Sequence, residues 1–540
     1  MSYIYSLQKN FPNELNLDQL TTLIGSSNIQ QFLSCINIID DNVEIMFNST
    51  LDSDDLNTLN TLISQYVYAE NAKINLITTG TYGTNVDVTI APTSNRILVL
   101  PNISENLSKS HNTIVDVNGG GDYISISDAF KDGKISIFVR SGIYVETNDI
   151  IIPDRGKIEG EANGKVIIVF LGPYSMKIDG SNGNKEISGL INITKDSNDI
   201  TGVETKFTKI SIGDFIMIGN SYYTINNIID DTHLTILEKY CGRTMTEQTY
   251  MAQSMISGVN INNIIISSST TIGLFIRAVR YMTIKDIAVD GCYENIKIMD
   301  SGDSCIDTMI IANGKNVGIS IDNCLDILCN SLNIFNNIGC GIKIHGNCNC
   351  IILNACSCTC NGNSGFYVDD TSNCINFTDC IAKQNASKGF EMTTNTDNII
   401  IENSISQHND GTGMYLDGSH NIISDCVIEY NNGNGLNPGN HGIVQGCQLR
   451  GNMNNGIFLD FRHDTVICNN RCSENGENGI YNNGDNNILS VNRCMSNTEC
   501  GIKISKTSSN NIITSNNLSG NIENNFNDLG IGTINSNNII

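Results

Sequence analysis

The side chains best placed to do chemistry are four rings, Tyr367, Tyr415, Phe458 and Tyr481, in a chain that is only 6% aromatic. Each stands two places after a glycine that opens a short run of alternating apolar residues. Glu391 holds the same place in an intervening run, and Asp369 and Asp417 follow two places beyond Tyr367 and Tyr415. Flat rings give sugar rings a face to stack on, and carboxylates accept hydrogen bonds from sugar hydroxyls. The set therefore reads as a glycan-binding group. Its plainer alternative is a ladder of rings that steadies neighbouring strands, with Asp starting turns.

A second group sits in one turn: Asp460, Arg462, His463 and Asp464, with one of the chain's seven histidines. Two carboxylates, an imidazole and a guanidinium are the parts of an acid–base centre; a solvated turn is the competing reading. The cysteines pose a metal question. Cys348-x-Cys350 and Cys356-x-Cys358-x-Cys360 are dense, and alternation would set each group on one face of a strand. Zinc sites prefer spacers of two to four residues in loops. Cys356, Cys380 and Cys494 instead share one offset from their glycines, and Cys426, Cys447 and Cys468 fall close to it. That spacing suits a stacked interior ladder in which Cys acts as a small hydrophobe. No metal and no other cofactor is expected, with Ca2+ left open as a bridge between an acidic surface and an acidic glycan.

What positions these groups is a repeat. The glycines are Gly318, Gly341, Gly365, Gly389, Gly413, Gly435, Gly456, Gly479 and Gly501, at spacings of 23, 24, 24, 24, 22, 21, 23 and 22. The residue after each is apolar in all nine cases, and the residue three after it is apolar in all but Pro438 and Asn482. Alternation means strand, and such a period is too short for a strand–helix–strand crossover. A second short strand, as in Asn421-Ile-Ile-Ser-Asp-Cys426-Val-Ile, lies between the glycine-led ones. The solution is a chain that coils on itself, a parallel β-helix, right-handed by the usual crossover rule. Residues one and three after each glycine face inward, and the residue two after it faces out.

Composition narrows the function classes. Thirty-one Lys+Arg against 56 Asp+Glu leave the 540 residues at −25, which opposes binding to nucleic acid or an anionic membrane surface. There is no basic-then-apolar signal at the start and no 18-residue uncharged apolar run, so neither secretion signal nor spanning helix is expected. Twenty cysteines in such a chain are expected to be reduced thiols made in a reducing cytoplasm.

The phrases Ile422-Ile-Ser-Asp-Cys-Val-Ile-Glu-Tyr-Asn-Asn-Gly-Asn-Gly435-Leu and Asn454-Asn-Gly-Ile-Phe-Leu resemble the repeats of right-handed parallel β-helix proteins, over about residues 254 to 525. That superfamily includes pectate-lyase-like enzymes and phage tailspikes, so the resemblance implies a fold and not an activity. Val115 to Glu146 is similar to the opening of tailspike-like chains, in which a short helix caps the first coil. Thr201 to Ile236 resembles a small antiparallel module of phage tail and fibre proteins. Asp460 to Asp464 loosely resembles the Asp/His segment of alginate-epimerase-like β-helices, but lacks its proline. Ser301-Gly-Asp-Ser-Cys-Ile-Asp307 resembles a polygalacturonase motif, with Ser304 where a second carboxylate is needed for hydrolysis.

The expected architecture is all-β. It comprises a small N-terminal α/β head and linker (1–110), the opening coils (111–186), an inserted β-barrel module (187–253) and the main β-helix (254–540). The expected role is a structural protein of a virion or particle surface, from a large DNA virus or phage-like particle, presenting a glycan-binding outer face for attachment. The head would meet other virion or surface proteins. A homotrimer stays open. The alternative is a polysaccharide lyase, hydrolase or epimerase using the same face as its cleft.

Overall fold

The computed structural model describes residues 2–6, 20, 24, 29, 31, 33–39, 42–65 and 113–540, apart from 162–164, 181–183, 186–187, 220, 238, 241, 254, 268 and 370–371. The linker expected at the end of residues 1–110 lies outside the described residues. Two units divide the chain, residues 1–102 and 103–540.

In the first unit, strands Ser2–Ser6 and Leu33–Ile39 flank Asn42–Phe47 in an antiparallel sheet. Val43, Ile45 and Phe47 alternate onto one buried face, where Leu59 and Ile63 of helix Ser53–Gln65 join the same core. Asp52 caps that helix, its Oδ1 accepting the amide N–H of Asp54 and Asp55.

The second unit begins with strand Thr113–Val115 and helix Ile126–Lys131. The helix lays Ile126, Ala129 and Phe130 on the coil core. Its N-terminus is held by Glu146, a carboxylate only 2% exposed. Glu146 accepts the Ile126 amide at 2.8 Å and the Ser127 hydroxyl at 2.6 Å, which offsets the cost of burying it. Strand Met176–Asp179 runs parallel and directly beside Ile272–Arg277, and the coil resumes at Ile256–Ser257, Asn260–Asn262 and Ile265–Ser267, so the chain between Asp179 and Ile256 is inserted into the coil. Most of that insert forms an eight-stranded antiparallel sheet with its own core, including Ile191, Phe207, Ile216 and Leu234.

From there the chain winds as three short strands per coil. The glycine-led strands lie in a 14-stranded parallel sheet. Its register runs Ile342, Phe366, Phe390, Met414, Leu436, Ile457, Ile480, Ile502. All nine residues expected one place after the glycines are buried. Phe366 and Phe390 stack at 4.7 Å, and Phe377 from another strand packs edge-on against both. Glycine is needed where the next coil comes close: a Cβ on Gly456 would stand 2.5 Å from the carbonyl oxygen of Gly479.

Asparagine does more than make turns. Eight of the nine glycines have Asn four places before them, and these residues form a buried ladder inside the coil. Asn385 shows the pattern: its amide N–H and its Nδ2 both donate to Asn409 Oδ1, at 3.0 and 2.9 Å, and Nδ2 also donates to the Cys358 carbonyl. Every polar atom of the ladder thereby meets a partner in a neighbouring coil, and such interior hydrogen bonds are worth about 1 kcal/mol each once made.

The cysteines divide. Cys356, Cys380, Cys426 and Cys447 are buried, and the Cys447 amide N–H donates to Asn470 Oδ1, which continues the column as asparagine. Burial pushes the Cys292 and Cys340 thiols up to about 11. Two expectations fail. Cys350 and Cys360 are exposed while Cys348, Cys356 and Cys358 are buried, because left-handed backbone at Cys350 and Cys360 (φ 54 for both) breaks the alternation. Cys468 is half-buried and pairs with the outward residues Gln445 and Ser490; Cys472 and Cys494 are the interior residues of those coils.

Candidate functional site

The outer face of the 14-stranded sheet carries the expected glycan group. Register sets Lys343, Tyr367, Glu391, Tyr415 and Asn437 above one another, and Phe458, Tyr481 and Lys503 likewise. Each ring is half-exposed between two buried strand neighbours, so the alternation that fills the core also holds the rings outward. Parallel strands about 4.8 Å apart leave such rings one coil apart in stacking range.

The lower half of this column is tied up by charge. Lys343 Nζ lies 5.5 Å from the Tyr367 ring centre and 3.6 Å from Asp369. Burial, with Asp369 beside it, pushes the Tyr367 phenol up to about 12. Glu391 accepts the Ser364 hydroxyl at 2.5 Å and the Lys388 ammonium at 2.6 Å, and the same ammonium sits over Tyr415 at 4.9 Å.

Above Tyr415 the face changes. Asn437, expected to face outward, is only 7% exposed, and Ser320, at the other end of the column beside Lys343, is 4% exposed. Asn437 keeps its outward register beside Tyr415, and its Oδ1 has no hydrogen-bond partner among the described residues. Phe458 and Tyr481 then stack at 5.4 Å, with ring planes 17° apart. They line a shallow recess of about 220 Å³ shared with Asn455, Glu477, Glu499 and Lys503. Asn455 Nδ2 donates to Glu477 at 2.6 Å, Asn478 Nδ2 to Glu499 at 2.9 Å, and Lys503 to Glu499 at 3.1 Å. The two carboxylates are therefore oriented by amides and still have acceptor capacity. Sequence reasoning passed over Glu477 and Glu499; both stand two places before a repeat glycine, where they read as turn residues.

The Asp460–Asp464 turn does not gather its four groups on one another. Arg462 reaches across a coil to pair with Asp417. His463 Nδ1 accepts the Asp485 amide N–H at 3.0 Å, and Asp464 faces His441 at 3.7 Å. Asp460 is exposed and accepts only a long 3.5 Å bond from Asn483. No hydrogen bond or ion pair joins any two of the four. The left-handed residues Phe461 and Asp464 turn the segment, which splays the side chains. Asp417 also accepts the Thr394 hydroxyl at 2.7 Å. Burial pushes its carboxyl up, but the bonds from Thr394 and Arg462 outweigh that and hold it below its ordinary value. In the Ser301–Asp307 segment, Asp303 pairs with Arg280 and Asp307 accepts the Asn330 amide. Among the described residues no three His, Cys, Asp or Glu lie close enough together to hold a metal ion.

A family model described as "Right handed beta helix region" matches residues 249–406 and 392–540. No curated protein matches the chain in sequence. Among solved structures, the tailspike gp61 of Pseudomonas phage phi297 is 11% identical, with 72% of each chain covered and a TM-score of 0.40. The A-module of the mannuronan C-5 epimerase AlgE6 of Azotobacter vinelandii is also 11% identical, covering 77% of this chain and 92% of that one at 0.39. The Gp54 tailspike of Acinetobacter baumannii bacteriophage AP22, solved with capsular saccharide, is 12% identical over 75% and 73% at 0.39. Likeness of this degree carries no information about what the chain binds.

Proposed function

The chain belongs to the right-handed β-helix family, and on that premise we propose that it is a structural surface protein whose 14-stranded sheet presents a glycan-binding outer face. The carrying observation is the stacked pair Phe458–Tyr481 in a recess whose rim holds two oriented carboxylates, Glu477 and Glu499. Stacked rings supply an apolar platform, and the carboxylates supply acceptors for hydroxyl or ammonium donors. Tyr367, Asp369, Glu391, Tyr415 and Asp417 extend the strip, with more of their capacity already met by Lys343, Lys388 and Arg462. Neutral or amino sugars suit this rim. A polyanionic glycan would need Ca2+ to bridge like charges. The attachment role places the surface on a virion or particle, with residues 1–110 meeting its other proteins.

The dispersal of Asp460, Arg462, His463 and Asp464 onto separate partners favours binding over acid–base chemistry. The test is a glycan array of neutral, amino and acidic sugars probed with the full chain and with Phe458→Ala/Tyr481→Ala. Binding that the double variant loses is the expected result. An array bare with both rings intact, or binding indifferent to their removal, would discard the strip. Release of unsaturated or reducing ends from a polysaccharide panel would favour the enzymatic alternative instead.

A further inference from the structure

Each coil has another outer column, on the strand that follows the glycine-led one. From Leu328 to Ile534, register stacks ten outward residues on consecutive coils. Nine are aliphatic, and Asn376 is the exception. Leu328, Ile352, Ile443, Ile488 and Ile534 are between 36% and 59% exposed, and the other aliphatic members are half-buried. Nothing in the fold demands this. The inward positions of the same strands already fill the core with Leu353, Ile401, Ile423, Val444, Ile467, Leu489 and Ile513.

Isolated exposed aliphatics are ordinary, but a contiguous apolar strip of several hundred Å² marks an interaction surface. Nine inter-strand steps of about 4.8 Å make this one about 43 Å long, and with the next outward column about 6.6 Å along each strand it is roughly 12 Å wide. The aliphatic column and that neighbouring polar column together cover roughly 500 Å² per copy, so two such faces meeting bury on the order of 1,000 Å², the threshold for a specific interface. Charge selects the occupant. The chain carries −25, so two copies repel over most approaches. The next outward column, from Asn330 to Ser536, is otherwise uncharged polar or Cys and has Glu402 as its one charge. Interface cores are depleted of charge in the same way. A straight column of like residues is also complementary to itself.

We propose that this aliphatic strip is the surface through which copies of the chain associate side by side. The ladder alternative, in which β-branched neighbours merely steady their own sheet, predicts a monomer. Light scattering on the full-length chain at micromolar concentration separates them. The expected result is a mass that is a multiple of 58.8 kDa, reduced to one copy by Ile422→Asp/Ile443→Asp with the circular dichroism spectrum unchanged. Should that variant misfold, Ile488→Lys/Ile512→Lys, further along the column, reads the same contact. Tyr415→Ala, on the other sheet, keeps the multiple. A monomeric wild type, which would leave the strip to another protein or to solvent, overturns the proposal; so do folded charge variants that keep the full mass.

Discussion

One coil shows two outer faces built by the same backbone rules. On the glycine-led strand the outward column mixes rings, carboxylates and ammonium groups, as in Tyr367, Glu391, Tyr415 and Lys503. On the strand that follows, it runs Ile400, Ile422, Ile443 and Val466. Behind both lies a single apolar core. Strand formation accepts either set, since both supply β-branched or aromatic side chains. The fold therefore leaves the outward positions free, and they differ in kind: one face has rings and spare acceptors, the other is aliphatic with almost no charge.

The largest expected effect breaks the comparison at its base. Phe390→Ala removes the ring that stacks on Phe366 in the shared core and is expected to cost about 3–5 kcal/mol in urea unfolding. Both faces should fail together; loss of one face alone would mean that they do not share a cooperative interior. Asn409→Ala comes next. It strips the acceptor from the Asn385 amide and Nδ2, and two buried donors left unmade predict a loss of about 2–4 kcal/mol by the same measurement.

Tyr481→Ala sharpens the contrast without touching the core. It is expected to weaken glycan binding about five- to tenfold by titration, equivalent to about 1 kcal/mol of ring contact, while leaving the mass in light scattering unchanged. A change in mass would merge the two faces into one. The smallest effect concerns pH. Asp417 is held below its ordinary value of 3.8, so its pairing with Arg462 stabilises the fold fully above the unfolded-state value. That contribution is lost as pH falls through the lower folded-state value. Below about pH 4, Asp417→Asn should therefore lose less stability on further acidification than wild type, by about 1 kcal/mol or less. Equal acid sensitivity of the two would remove the pair from the account.

Much of the winding was legible because the inner position after each glycine must be apolar on every coil: Ile342, Phe366 and Met414 report that constraint in plain text. The asparagine ladder was almost as periodic, four places before eight of the nine glycines, yet Asn reads first as a turn residue, and only burial reveals a chain of amides. The aliphatic column was hidden for another reason. In Asn421-Ile422-Ile423 both phases of the strand are Ile, so periodicity cannot say which one faces water; pairing with neighbouring coils does. The rings of the proposed glycan strip were readable from the glycine register, whereas Glu477 and Glu499 lay in turns whose direction no local pattern specifies.

The amino-acid order by itself determined that the chain coils, where each coil begins, and which apolar residues follow each glycine into its interior, because a repeating core forces a repeating alphabet. Folding in three dimensions decided the rest. Left-handed residues swung Cys350 and Cys360 out of their expected face, and Arg462 was carried to Asp417 rather than to the neighbouring His463. Such pairings depend on which side chains the turns bring within reach across coils, a distance that sequence separation does not measure.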